Sequence, residues 1–225
     1  MVRHWLIVIA MLAGCRQLAG LDDPLPGDGG GSGSGSFCYG KGLVQVCFSD
    51  EPKGDVVMST NPIDTGGFGC ATNVISGNGP CYIQASTITL PAGTTTPATG
   101  TLPLVFVATN TITISGTLDA AAHHQQQTSM TPPGGNFTGC QSGTNPMNGT
   151  YGGGGQGGSF LAKGGDGGDG GSGMGGTAGT ALATPTTLHA GCAGHSGAGS
   201  SGGGGGGKGG GAIYLIAVGS IMIDG

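Results

Sequence analysis

Past its first 14 residues this chain shows no 3.6-residue apolar period of the kind an amphipathic helix carries. The apolar residues come instead in short runs, rich in β-branched side chains and bounded by glycine, proline and asparagine. Leu43-Val44-Gln45-Val46-Cys47-Phe48 and Asp55-Val56-Val57-Met58 read as strands, as do Cys81-Tyr82-Ile83-Gln84 and Ser86-Thr87-Ile88-Thr89-Leu90. The densest run extends from Leu104 to Leu118 and includes Val105, Phe106, Val107, Ile112 and Ile114. Ordered structure is expected from about Phe37.

The run from Leu104 to Gly116 aligns without gaps to Ile213 through Gly225. Ala108/Ala217, Ile112/Ile221, Ile114/Ile223 and Gly116/Gly225 are identical, and apolar positions otherwise face apolar ones. Each copy reads as a strand, a small corner and a second strand with inward isoleucines. Rungs of a parallel β-helix have this form, because inward aliphatic side chains stack from rung to rung. The expected fold is therefore mainly β: a partial right-handed parallel β-helix of few rungs. The second copy stops where the first continues into Thr117-Leu118-Asp119-Ala120, so a C-terminally truncated fragment is one expectation.

Between the copies, from Gly134 to Gly211, 34 of 78 residues are glycine. Part of this insert runs in triplets, Gly164-Gly165-Asp166, Gly167-Gly168-Asp169 and Gly170-Gly171-Ser172. A three-residue period suits a polyproline-II-type helix, and several such segments could pack as a polyglycine-II-like bundle. The alternative is a disordered excursion, since glycine loses the most entropy on ordering. Collagen does not fit, because prolines are confined to Pro146 and Pro185 beyond the insert's first residues.

The N-terminus has its own pattern. Arg3 and His4 precede an apolar run from Trp5 to Ala13. That is the layout of an export signal, and it is too short for the roughly 20 residues of a spanning helix. The run ends in Leu12-Ala13-Gly14-Cys15, which resembles the lipobox of bacterial lipoproteins. The resemblance implies cleavage before Cys15 and covalent lipid on that cysteine, the one non-protein group expected. Arg16 rather than aspartate follows, which in that family points to the outer membrane. Residues 15–36, ending in a Gly/Ser stretch, read as a flexible tether.

Composition narrows the function. Charged residues make up 8% of the chain and the net charge is −5; no basic patch exists that could neutralise phosphates, so nucleic acid is not an expected partner. Besides Cys15 the chain carries Cys38, Cys47, Cys70, Cys81, Cys140 and Cys192. An even set in an exported chain suggests disulfides. Six cysteines allow 15 connectivities; nearest-neighbour pairing, Cys38–Cys47, Cys70–Cys81 and Cys140–Cys192, is the simplest.

Candidate chemistry is sparse. His189, Cys192 and His195 are of zinc-ligand type, but a disulfide at Cys192 would remove the thiolate, so no metal is expected. His123-His124 and the three glutamines after them read as a solvated loop. The glycine–aspartate triplets match the calcium-binding nonapeptide in part, but Gly171 stands where that motif needs a large apolar residue. No G-x-S-x-G motif occurs, and the strand-like runs lack the paired carboxylates of glycosidases. No catalytic residue is expected.

The stretch from Cys81-Tyr82-Ile83 through Ile112-Thr113-Ile114-Ser115-Gly116-Thr117-Leu118-Asp119-Ala120, followed by the glycine-rich insert, resembles Gly-rich lipoproteins of Gram-negative bacteria. That resemblance implies a β-helical surface protein and transfers no site residue. The organisation expected is a signal peptide (1–14), lipidated tether (15–36), disulfide-bearing β domain (37–133), glycine-rich insert (134–211) and a returning strand (212–225). The function expected is a structural or adhesive role in the cell envelope, held to the membrane by lipid and facing an envelope polysaccharide or protein. A polysaccharide-active β-helix enzyme is the alternative.

Overall fold

The computed structural model describes residues 36–224 apart from 68, 78, 126, 127, 136, 138, 141, 142, 149, 150, 183 and 200–202. The leader, Cys15 and the tether up to residue 35 lie outside the described residues. Among those described there is no helix, and none is therefore long and apolar enough to cross a membrane.

The structure is mainly β, with both parallel and antiparallel sheets. Its strands are β1 (Phe37–Lys41), β2 (Val44–Phe48), β3 (Asp55–Val57), β4 (Ile63–Asp64), β5 (Val74–Ser76), β6 (Cys81–Leu90), β7 (Thr95–Thr99), β8 (Leu104–Ile114), β9 (Thr117–Asp119), β10 (His124–Gln125), β11 (Thr128–Ser129), β12 (Ile213–Ala217) and β13 (Ser220–Ile223). The central sheet has β3, β6 and β8 side by side and parallel, with β12 and β13 both on the far edge of β8. A second parallel sheet contains β4, β7 and β9. Each pass of the chain thus lays a strand on the first sheet and a short one on the second: β3 then β4, β6 then β7, β8 then β9.

The pattern of side chains on β8 explains the packing. Leu104, Phe106, Ala108, Ile112 and Ile114 point to one side, where they join Ala85, Ile88 and Leu90 of β6 in the main core. Neighbouring strands set like residues side by side, Ala85 by Ala108 by Ala217 and Ile88 by Ile112 by Ile221. Val105 and Val107 point the other way and are also fully buried. They are covered by Val44, Val46 and Phe48 of the antiparallel sheet β1-β2-β5, with Tyr82 edge-on to Phe48. A strand buried on both faces reads as an unbroken apolar run, as Leu104 to Ala108 does. Farther along, Thr111 and Thr113 leave that cover and the alternation of apolar and polar residues returns.

Three disulfides close the structure. Cys38–Cys47 joins residues directly opposite on β1 and β2, Cys70–Cys81 ties a loop to the start of β6, and Cys140–Cys192 spans the glycine-rich insert.

The insert leaves after β11 and returns to place β12 beside β8. It is neither sheet nor structureless excursion. Six extended segments, a (143–148), b (151–159), c (164–170), d (173–180), e (189–199) and f (203–210), exchange backbone hydrogen bonds at every third residue. Thr144 and Met147 donate to Thr177 and Met174, and Gly154 and Gly157 to Gly168 and Gly165. His195 and Ala198 donate to Gln156 and Gly153, and Gly191, Gly194 and Gly197 to Gly210, Gly207 and Gly204. Residue numbers rise on one side as they fall on the other, so these pairs are antiparallel. Three residues per turn is the repeat of a polyproline-II-type helix.

That repeat dictates where glycine is required. A Cβ on Gly164 would sit 2.5 Å from the carbonyl oxygen of Gly157 and 2.7 Å from that of Gly158. Cβ atoms on Gly155, Gly158, Gly167, Gly170 and Gly175 would lie closer than 3.0 Å to neighbouring backbone. Cβ atoms on Gly165 and Gly168, the next residues along segment c, would meet nothing within 4 Å among the described residues. Aspartates take the third position: Asp166 Oδ1 accepts from the backbone N–H of Ala178 at 2.7 Å and Asp169 Oδ1 from that of Gly175 at 2.7 Å. Buried polar side chains complete the frame, with Ser159 Oγ donating to the Gly179 carbonyl at 2.6 Å.

Candidate functional site

A cleft of about 290 Å³ lies where the β1–β2 turn, the loop before β6 and residues 187–188 of the insert meet. Leu43, Val44, Pro80, Pro103 and Leu188 line it. Tyr82 lines it too, and its hydroxyl donates to the Gly77 carbonyl at 2.6 Å. Burial pushes the Tyr82 phenol above its ordinary pKa, which keeps it neutral. None of the described lining residues is charged. A neutral cleft of mixed apolar and polar lining, with Gln45, Tyr82 and Thr187 as its polar side chains, can hold an uncharged group; no carboxylate is among its described lining residues.

The residues singled out as weak metal candidates do not form a joint site. His189, Cys192 and His195 lie along segment e, three residues apart. At about 3.1 Å per residue the two histidines stand roughly 19 Å apart along the segment, far beyond the reach of one ion. Cys192 is bonded to Cys140. His189 is buried with its ring stacked on Phe137, centroids 3.6 Å apart and planes 4° from parallel, and edge-on to Phe160. Its Nδ1 lies 2.8 Å from the Ala190 carbonyl oxygen, an acceptor, so Nδ1 carries a proton, and its Nε2 has no hydrogen-bond partner among the described residues. His189 is thus a packing residue at the root of the insert, and His195 is exposed. Among the described residues no group of three or more His, Cys, Asp or Glu side chains is placed to hold a metal ion.

His123 Nε2 pairs with Asp119 Oδ2 at 2.7 Å. The backbone N–H of Ala121 is the main cause holding the Asp119 carboxyl below its usual range; partial burial opposes it and His123 assists. On segment c, Lys163 and then the Ala178 N–H do the same for Asp166. Both carboxylates are clasped to their own chain and serve local structure.

The cleft was not foreseen from the sequence. Its walls come from three distant stretches, and no spacing rule links Leu43, Tyr82 and Leu188. A second, smaller hollow of about 60 Å³ lies inside the insert beside Cys140–Cys192, where the buried Gln156 side chain has an unpartnered Oε1. Compared with family models, curated proteins and solved structures, the chain matches none of them.

Proposed function

We propose that this chain is a lipid-anchored protein of the bacterial cell envelope with a structural or adhesive, non-enzymatic role. The observation that carries this reading is the set of three disulfides, Cys38–Cys47, Cys70–Cys81 and Cys140–Cys192. Such bonds persist in oxidising compartments outside the cytoplasm. They take up every cysteine except Cys15, which leaves that residue for the lipid its lipobox-like setting implies. The successive parallel strands support reading the β domain as a short β-helix, and the three-residue hydrogen-bond register supports reading the insert as a polyglycine-II bundle. Together they make a rigid body with little charge, suited to displaying the neutral cleft toward an envelope polysaccharide or protein. The outer membrane is the expected site, from the residue after Cys15.

The test is non-reducing peptide mass spectrometry on protein taken from membranes of the native host. A diacylglyceryl-modified Cys15 peptide is expected, and Cys15→Ser should release the protein from the membrane fraction. An unmodified Cys15, or free thiols at the other six positions, refutes the envelope reading. The adhesive role fails if cells lacking the protein bind surfaces and neighbouring cells as well as the parent strain does.

A further inference from the structure

The central sheet has two open edges. Among the described residues no strand lies beyond β3 on one side, or beyond β12 and β13 on the other. Its inward side chains form columns that cross the sheet. Val56 stands beside Ile88, Ile88 beside Ile112, and Ile112 beside Ile221. The next inward column holds Leu90, Ile114 and Ile223. The offset that sets Val57 beside Thr89 puts the buried Met58 beside Leu90, at the head of that column. Both columns lose their cover at β13: Ile112 and Ile114 are 0% and 8% exposed, whereas Ile221 and Ile223 are 43% and 63% exposed.

The outward row between these columns carries a second, independent signal. On the inner strands its residues are Thr89 and Thr113, polar as suits a solvated face. On the two end strands the same position is apolar: Val57 on β3 and Met222 on β13, 68% and 47% exposed. Edge strands ordinarily carry charge or proline, which keeps other chains from pairing with them. Here the solvent-facing row turns apolar at both of its ends and at neither strand between.

We infer that the β13 edge of one copy of this chain receives the β3 edge of a second copy, head to tail, so that the parallel ladder continues from copy to copy. The strands β3, β6, β8 and β13 are mutually parallel, so the two edges meet in the direction the sheet already uses. Carrying the register across the contact sets Ile221 beside Val56, Met222 beside Val57 and Ile223 beside Met58, three apolar pairs in succession. Both inward columns and the apolar outward row are thereby covered at once. Ser220 falls beside Asp55, the one charged residue of β3, and its hydroxyl can donate to that carboxylate. The two surfaces differ, so the contact is heterologous, and each copy that joins presents a fresh β13 edge. A pairing of four residues on one sheet buries well under the roughly 1,200 Å² of stable complexes, so assembly is weak and rises with concentration. The inference rests on the register of the sheet and does not depend on the envelope reading.

Sedimentation equilibrium of the full chain, in density-matched detergent that keeps it dispersed, tests it. A reversible association that passes beyond the dimer as concentration rises is expected. Val57→Glu and Met222→Glu each place a carboxylate at an exposed outward position, so their three disulfides and melting temperatures should match the parent. Across the contact the new carboxylate stands two residues along from Asp224 in the first variant and from Asp55 in the second, and like charges repel. Each variant alone should therefore be monomeric. Mixed together they should form a 1:1 dimer and stop, because the first keeps an intact β13 edge and the second an intact β3 edge. A parent chain that stays monomeric up to millimolar concentration overturns the inference. So does association that survives in either correctly folded variant, as when β13 pairs with its own copy and Val57→Glu has no effect. A mixture of the two variants that stays monomeric overturns it as well.

Discussion

Replacing Gly164 and Gly165 with alanine, one at a time, should move stability in opposite directions. Neither residue has left-handed backbone, so alanine is conformationally tolerated at both. In each case alanine restricts the unfolded chain, which stabilises by about 0.4–1 kcal/mol. At Gly165 that is the whole effect, because its Cβ enters empty space. At Gly164 the new methyl lies 2.5 Å from the Gly157 carbonyl oxygen, 2.7 Å from that of Gly158 and 2.8 Å from the Gly157 carbonyl carbon. Ordinary contact begins at 3.4 Å, so segments b and c must part by nearly 1 Å. Overpacking of that kind costs about 1–3 kcal/mol. The separation also strains the 2.8 Å hydrogen bond from Gly157 to Gly165 and the 2.9 Å bond from Gly164 N–H to Ser159 Oγ, each worth about 1 kcal/mol. The net loss is about 1.5–4 kcal/mol. In a chain of this size that is a fall of roughly 3–16 °C in melting temperature, against a rise of about 1–4 °C for Gly165→Ala. Thermal unfolding by circular dichroism under non-reducing conditions gives both values. Equal and small effects at the two sites would show that segments b and c are not packed together and would refute the three-residue rule.

Three further outcomes follow from the same contacts. Serine at both Cys140 and Cys192 opens a loop with a separation of 52 residues and should cost about 4 kcal/mol in the chain-entropy model, read as a lower urea midpoint and faster proteolysis of the insert; an unchanged midpoint counts against a folded insert. Phe106→Ala removes a fully buried ring between β6 and β12 and should destabilise by about 3–5 kcal/mol in urea titration. Acid should loosen the insert where Asp166 holds segment d. The folded-state pKa of Asp166 is lowered, so its contribution is present above the ordinary carboxylate value and is lost as pH falls below about 4 through the folded value. Hydrogen exchange at Ala178, whose N–H it holds, should quicken in that window, and Asp166→Asn should remove the pH dependence.

Sequence repetition was legible wherever the chain kept its register. The gapless match of Leu104–Gly116 with Ile213–Gly225 has the offset at which β12 and β13 pair with β8, residue for residue. A third member went unseen. Cys81 to Leu90 also lies in register with β8, but its corner is one residue shorter, so the pairing steps between Ala85 and Thr87. A gapless comparison cannot cross that step. The antiparallel cover of β1, β2 and β5 was visible as strands but not as a lid, because nothing in Val44, Val46 or Phe48 names Val105 and Val107 as partners. In the insert, composition alone left order and disorder open. The choice turns on which glycines touch backbone, and that depends on the register between segments far apart in sequence. His189 shows the converse limit. Its spacing to Cys192 and His195 suggests ligands on a compact turn, whereas on an extended segment the same spacing spreads them along a line.

The three-residue register also constrains how the insert can change length over generations. Adding or removing one or two residues within segment c would swing its required glycines away from segment b and bring Asp166 or Asp169 against a backbone that admits no side chain. Adding three extends the segment by one turn, about 9.3 Å, and leaves every contact upstream and downstream in phase. Gain or loss of one Gly-Gly-Asp unit is therefore a whole-turn edit, whereas gain or loss of a single glycine is not.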